Sequence, residues 1–183
     1  MILLTGFEKF GKNSSNLSQE MVNNFPQILH NIEIKKLILP VSWDISLKIY
    51  KTILNTLKEK IELVVLTGIH SGKKFYLEVY AWNFKLGKDE NYKYKFGIIK
   101  FGKPLRIKSI FNIDTFNYSF KRKDQISMSS TPHFYLCNYI YFWALLLSEY
   151  KYPVVFLHIP KEEDLNNCIE FVEKVSLKLI ERL

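Results

Sequence analysis

Two cysteines in 183 residues are too few for a disulfide framework, which excludes the small stapled secreted scaffolds and fits a reducing compartment. No apolar run approaches the roughly 20 residues that span a bilayer. The longest candidate lies between Tyr139 and Leu147. The opening Met1-Ile2-Leu3-Leu4-Thr5-Gly6 lacks the basic start of a signal peptide, and its apolar run is too short for one. There is no internal repeat and no low-complexity linker. The net charge is +8, but the 26 Lys and Arg residues are spread along the chain without a basic arm. Lys121-Arg122-Lys123 reads as a solvated turn. The loop Gly68 to Lys74 lacks the Walker spacing of a phosphate cradle. The expectation is a cytoplasmic protein with neither nucleic-acid nor membrane partners.

Hydrophobic residues make up 48% and charged residues 24%, an ordinary globular balance, and the length suits one domain over residues 1–183. Apolar runs bounded by Gly or Pro predict strands at Ile2 to Leu4, Ile32 to Leu39, Leu63 to Leu66 and Pro153 to Pro160. Helices are predicted from a cap at Asn16 or Ser18 to about Phe25, and from a cap at Asp44 with a stripe of Ile45, Ile49, Ile53, Leu54 and Leu57. A last helix starts near Glu162, with Leu165, Ile169, Val172, Leu179 and Ile180 inward and Cys168 packed beside them. Strands apolar on both faces, alternating with helices, predict a three-layer α/β/α sandwich with a mostly parallel twisted sheet. Phe75 to Phe84 reads as one strand and Lys85 to Lys93 as a polar loop. Tyr94 to Ile107 reads as one or two hairpin strands, Gln125 to Met128 as a short strand, and Ser109 to Asp124 is ambiguous.

The segment from Phe134 to Leu147 is almost free of charge and holds one thiol near its start, Cys137. A cysteine in an apolar run is ordinarily a small packing residue. In the first turn of a helix, however, the helix dipole favours the thiolate. His158 lies near the C-terminal end of a buried strand, and Glu78 lies in an aromatic strand, either exposed or buried with a partner. Cys, His and a carboxylate from three elements are the parts of a nucleophile, base and orienter set.

Four motifs resemble pyroglutamyl peptidase I, also called pyrrolidone carboxyl peptidase. They are Thr5-Gly6-Phe7-Glu8-Lys9-Phe10-Gly11, Glu78-Val79-Tyr80-Ala81-Trp82-Asn83, Tyr135-Leu136-Cys137-Asn138-Tyr139 and His158-Ile159-Pro160, in the family's order, from residue 1 to about 160. The resemblance implies a cysteine omega-peptidase that removes N-terminal pyroglutamate through an acyl-enzyme. Cys137 is then the nucleophile, His158 the base and acid, and Glu78 the orienting carboxylate. Phe7 and Phe10 sandwich the lactam ring, Asn16 shapes their loop, and backbone groups at Ile69, His70 and Ser71 hydrogen-bond the lactam. It also implies a homo-oligomer, dimer or tetramer, with no metal and no organic cofactor. The alternative is a catalytically impaired relative of the same fold, acting as a binding protein with its pocket closed by His133 or by a loop one residue short between Gly72 and Glu78. The chain departs from the family at Lys9, Lys12, Leu17, Lys73, Val79 and Lys88, and His133 and Phe134 replace small residues before the nucleophile motif. The family helix expected between residues 105 and 125 is not readable.

Overall fold

A computed structural model describes residues 1–11, 15–57, 60–110 and 126–181. The strands are β1 (Ile2–Phe7), β2 (Ile28–Leu29), β3 (Ile32–Leu39), β4 (Leu63–His70), β5 (Phe75–Glu78), β6 (Tyr80–Trp82), β7 (Phe84–Lys88), β8 (Tyr94–Ile98), β9 (Arg106–Lys108), β10 (Ile126–Ser129) and β11 (Val154–Pro160). The helices are α1 (Leu17–Asn24), α2 (Trp43–Leu57), α3 (Leu136–Ser148) and α4 (Leu165–Ile180).

Seven strands form one sheet in the order β10-β5-β11-β4-β1-β3-β2. The central β11, β4, β1 and β3 run parallel. Beyond them β5 is antiparallel to β11, and β2 is antiparallel to β3. Side chains alternate across a strand, so each central strand feeds both faces. Leu3, Val64, Leu66 and Phe156 pack under α2 and α3. Ile2, Leu4, Val65 and Leu157 pack under α1 and α4. The result is the expected mostly parallel α/β/α sandwich, and burial on both faces is why these strands carry no polar alternation.

Local chemistry sets the helix ends. Asn16, rather than Ser18, caps α1: its Oδ1 accepts from the Ser18 N–H at 3.0 Å and the Ser18 hydroxyl at 2.8 Å. Asp164 caps α4 by accepting from Asn166 and Asn167 N–H groups. The buried stripe of α4 runs through Cys168, Phe171, Val172, Val175 and Leu179, so Cys168 is at its centre and is a packing residue.

Several expectations need correction. The inner face of α2 is Trp43, Ser46, Tyr50 and Leu54, and Ile45 is exposed. The aromatic residues claim the core, and Ile49, Ile53 and Leu57 flank them half-buried. Asp44 is no cap; it lies in the first turn and pairs with Lys93 at 3.1 Å and with Lys95. Strand β4 does not end at Gly68 but continues to His70, because β11 partners it through Pro160. Phe75 to Phe84 is not one strand. The chain leaves the sheet at Val79, and β6 turns to pair with β9. The polar stretch after it forms a two-stranded ribbon, β7 with β8. The expected family helix lies largely, and Lys12 and Lys121-Arg122-Lys123 lie wholly, outside the described residues.

Candidate active site

The site lies towards the C-terminal ends of the central strands, where open α/β sheets gather ligands. On β11, His158 pairs with Gly68 of β4 on one side and Tyr76 of β5 on the other. Glu78 is two residues beyond Tyr76, so it shares that residue's face and reaches His158 diagonally. Glu78 Oε1 is 2.7 Å from His158 Nδ1, and both side chains are almost fully buried. A carboxylate can only accept here, so Nδ1 carries the hydrogen and donates it. The open question of Glu78's exposure is thereby answered: it is buried and partnered. Its backbone carbonyl accepts from the Tyr141 hydroxyl at 2.8 Å.

Cys137 occupies the second position of α3. Tyr135 makes no side-chain cap, and no acidic residue lies in the first turn. The leading amides of α3 therefore have no side-chain partner from the cap, at the positive end of the helix dipole. The thiol is half-buried and lines the same cavity as His158, close enough to raise the imidazole pKa, while His158 Nδ1 is committed to Glu78. Burial opposes charge on His158, but the hydrogen bonds to Cys137 and Glu78, and the charges of both, outweigh it and raise the imidazole to about 9. The arrangement favours an imidazolium lying between a carboxylate and a sulfur.

Beside the thiol opens a cavity of about 270 Å³. Phe7, Phe10, Asn16, Ile69, His70 and Ser71 line it together with Cys137 and His158, so all the ring-binding candidates converge there. Glu78 stands behind His158, away from the lining. The Asn16 amide does not reach into the cavity as a free group. Besides capping α1, it donates to the Glu8 carbonyl at 3.0 Å and so anchors the turn between the two phenylalanines.

The His70 imidazole is likewise occupied. Nε2 donates to the Lys74 carbonyl at 2.8 Å, and Nδ1 accepts from the Gly72 N–H at 3.1 Å, which fixes the neutral tautomer and braces the loop. Burial lowers its pKa, consistent with that tautomer. Its carbonyl accepts from Lys161 N–H at 2.9 Å.

Val41, Gly68, Pro132 and Tyr135 also line the cavity and were not candidates in the sequence. Tyr135 opens the nucleophile motif, but Val41 enters from a distant loop with no sequence signal.

His133 lines the cavity from an exposed position with φ 60°, the left-handed conformation that a glycine adopts freely. Phe134 turns to pack edge-on against Phe84 and Trp82. Lys88, standing where the resemblance places an arginine, holds its ammonium over the Tyr92 ring at 4.5 Å. His133 lines the cavity without filling it.

No described helix is long and apolar enough to cross a membrane. Among the described residues, no group of three or more His, Cys, Asp or Glu side chains is arranged to hold a metal ion.

The sequence model of the family described as pyroglutamyl peptidase matches residues 1–167. A pyrrolidone-carboxylate peptidase of Clostridium botulinum is 27% identical over 176 residues, covering 87% of this chain and 78% of that protein. The pyrrolidone carboxyl peptidase structure from Thermococcus litoralis superposes with a TM-score of 0.90 at 21% identity, over 98% of this chain and 93% of that one. That from Fervidobacterium islandicum gives 0.83 at 26% identity, over 98% and 96%. With a family match across nine-tenths of its length and the same fold throughout, this divergent chain belongs to the pyroglutamyl peptidase family and is a cysteine peptidase of the pyroglutamyl-peptidase I type.

Proposed function

We propose that the whole chain acts as one peptidase domain that hydrolyses the bond after an N-terminal pyroglutamyl residue, with Cys137, His158 and Glu78 as a catalytic triad. The observation that carries this reading is the buried Glu78–His158 hydrogen bond beside an apolar cavity that His158 and the Cys137 thiol line together. The lactam ring lies between Phe7 and Phe10, where a small neutral ring gains from contact with aromatic faces. The His70 imidazole and carbonyl are already engaged, so the lactam hydrogen bonds fall to the other backbone groups of Ile69, His70 and Ser71.

The Cys137 thiol gives its proton to His158 Nε2, and the sulfur attacks the pyroglutamyl carbonyl carbon. Negative charge develops on the carbonyl oxygen, facing the leading amides of α3. His158 donates its Nε2 proton to the departing amine, leaving a thioester. Water then attacks the thioester while His158 removes its proton. The carbon–sulfur bond breaks, pyroglutamate is released, and His158 returns the proton to restore the thiol. Glu78 holds the imidazole tautomer and stabilises the imidazolium throughout.

Purified protein should release the chromophore from a pyroglutamyl amide, and Cys137→Ala or His158→Ala should abolish that release. Substantial turnover by either variant would overturn the mechanism.

We also infer that the chain self-associates, as a dimer or tetramer, through the β7–β8 ribbon. Tyr92, Tyr94 and Phe96 on it are exposed by 80%, 65% and 70%, and exposed apolar patches of this kind mark protein–protein surfaces.

A further inference from the structure

Asn138 follows the nucleophile directly, yet its side chain is wholly buried and points away from the cavity lining. Its Oδ1 accepts from the Trp82 N–H at 2.7 Å. Its Nδ2 donates to the Trp82 carbonyl at 2.8 Å and to the Phe84 carbonyl at 2.7 Å. Towards Trp82 the amide behaves as a neighbouring strand would, satisfying both backbone groups of one residue. One helical turn further on, Tyr141 donates to the Glu78 carbonyl at 2.8 Å. Residues three apart share a helix face. One face of α3 thus grips the backbone on both sides of the point where the chain leaves the sheet.

This matters because Glu78 and Cys137 belong to elements with no ladder between them. Glu78 ends a strand near one margin of the sheet, and the next strand, β6, pairs only with β9. Apart from the bonds of Tyr141 to Glu78, Tyr135 to Lys88 and Leu86 N–H to the Phe134 carbonyl, the height of α3 against that margin rests on apolar contacts, which resist separation far better than sliding. Three directional hydrogen bonds from a residue adjacent to the nucleophile resist sliding.

We propose that Asn138 is a positioning residue, whose clamp on Trp82 and Phe84 holds α3 at the height where the Cys137 thiol meets His158 while Glu78 meets the other imidazole nitrogen. The proposal rests on the triad reading above.

Asn83 supplies a matched control. It is also buried and makes three hydrogen bonds through its amide, to the backbone of Lys100 and Lys103, but none to α3. Asn138→Ala and Asn83→Ala are compared for kcat and KM on a pyroglutamyl amide, and for the pH profile of iodoacetamide alkylation at Cys137.

Asn138→Ala is expected to lower kcat by about 10- to 100-fold with little change in KM, as sub-ångström displacement of a reacting group does. It should also reduce alkylation near neutral pH, as the thiol loses its imidazolium partner. Asn83→Ala is expected to lower the denaturation midpoint while keeping the wild-type profile. Should the alanine variant not fold, Asn138→Asp, of equal size but without donors, is measured in its place. A folded Asn138 variant with wild-type kcat and alkylation profile, or one no more impaired than Asn83→Ala, would overturn the assignment. If the wild-type protein itself neither turns over substrate nor alkylates selectively at Cys137, the triad reading fails first and this inference fails with it.

Discussion

Gly68 and Cys137 meet so closely that a Cβ built on the glycine would lie 2.9 Å from the cysteine sulfur and 3.0 Å from the Phe156 ring. The glycine is in β4, directly opposite His158 in register. Room for the Cys137 thiol is therefore made by a missing side chain on a neighbouring strand. Gly68→Ala should push the thiol off His158 and lower kcat/KM about tenfold or more. The unfolding free energy should fall by only about 1–3 kcal/mol, as is typical of overpacking. Kinetics and urea unfolding on one preparation check both, and an unimpaired enzyme would show that the thiol sits elsewhere in the working state.

Activity should have an alkaline limb. The bonds to Cys137 and Glu78 raise His158 from its ordinary value of 6.5 to about 9 despite burial. Above that pH the imidazole has no proton for the departing amine, so kcat/KM should fall with an apparent pKa near 9 that belongs to the Cys–His pair. The stability effect has the same direction. Because the folded value exceeds the unfolded one, this contribution is complete below pH 6.5 and is lost as pH rises through 9. Urea midpoints at pH 6 and 9.5 should therefore converge more in His158→Ala than in the wild type. A flat activity profile to pH 10 would contradict the imidazolium assignment.

Phe10 is half-buried on the cavity wall. If its ring mainly holds the bound lactam, Phe10→Ala should raise KM about tenfold, the order of one lost ring contact, with a smaller loss in kcat. An unchanged KM would remove Phe10 from the binding wall.

His133 holds a left-handed backbone at φ 60° just before α3. His133→Gly relieves that strain but loosens the unfolded chain, for a net gain of about 0.5 kcal/mol. Turnover should persist, because the imidazole is exposed on the rim. A lower denaturation midpoint would show that the histidine side chain supports the turn.

The exposed ribbon gives the test of assembly. Sedimentation should show a dimer or larger species, and Tyr94→Ser with Phe96→Ser should shift it towards monomer. A wild-type monomer, or a variant that stays assembled, would rule out this surface.

Much of this molecule is local in origin and therefore legible in its residues. Runs such as Leu63 to Leu66 have no polar alternation because both faces are covered, and that alone indicates a parallel sheet between helices. Asn16 and Asp164 cap their helices through side-chain geometry reaching only two or three residues. The order of the four motifs was enough to nominate Cys137, His158 and Glu78.

Long-range pairing decided the rest. Strand β4 extends past Gly68 because β11 runs beside it, and Phe75 to Phe84 breaks at Val79 because β9 captures the second half. Neither partner lies within the segment it reshapes, so no pattern inside the segment reports it. The sequence determined which groups were present and which faces were apolar. Only the tertiary structure brought a strand-end carboxylate into a hydrogen bond with an imidazole 80 residues away and set a helix-start thiol on the same cavity, because that placement depends on sheet register and on the bonds between α3 and the departing strand.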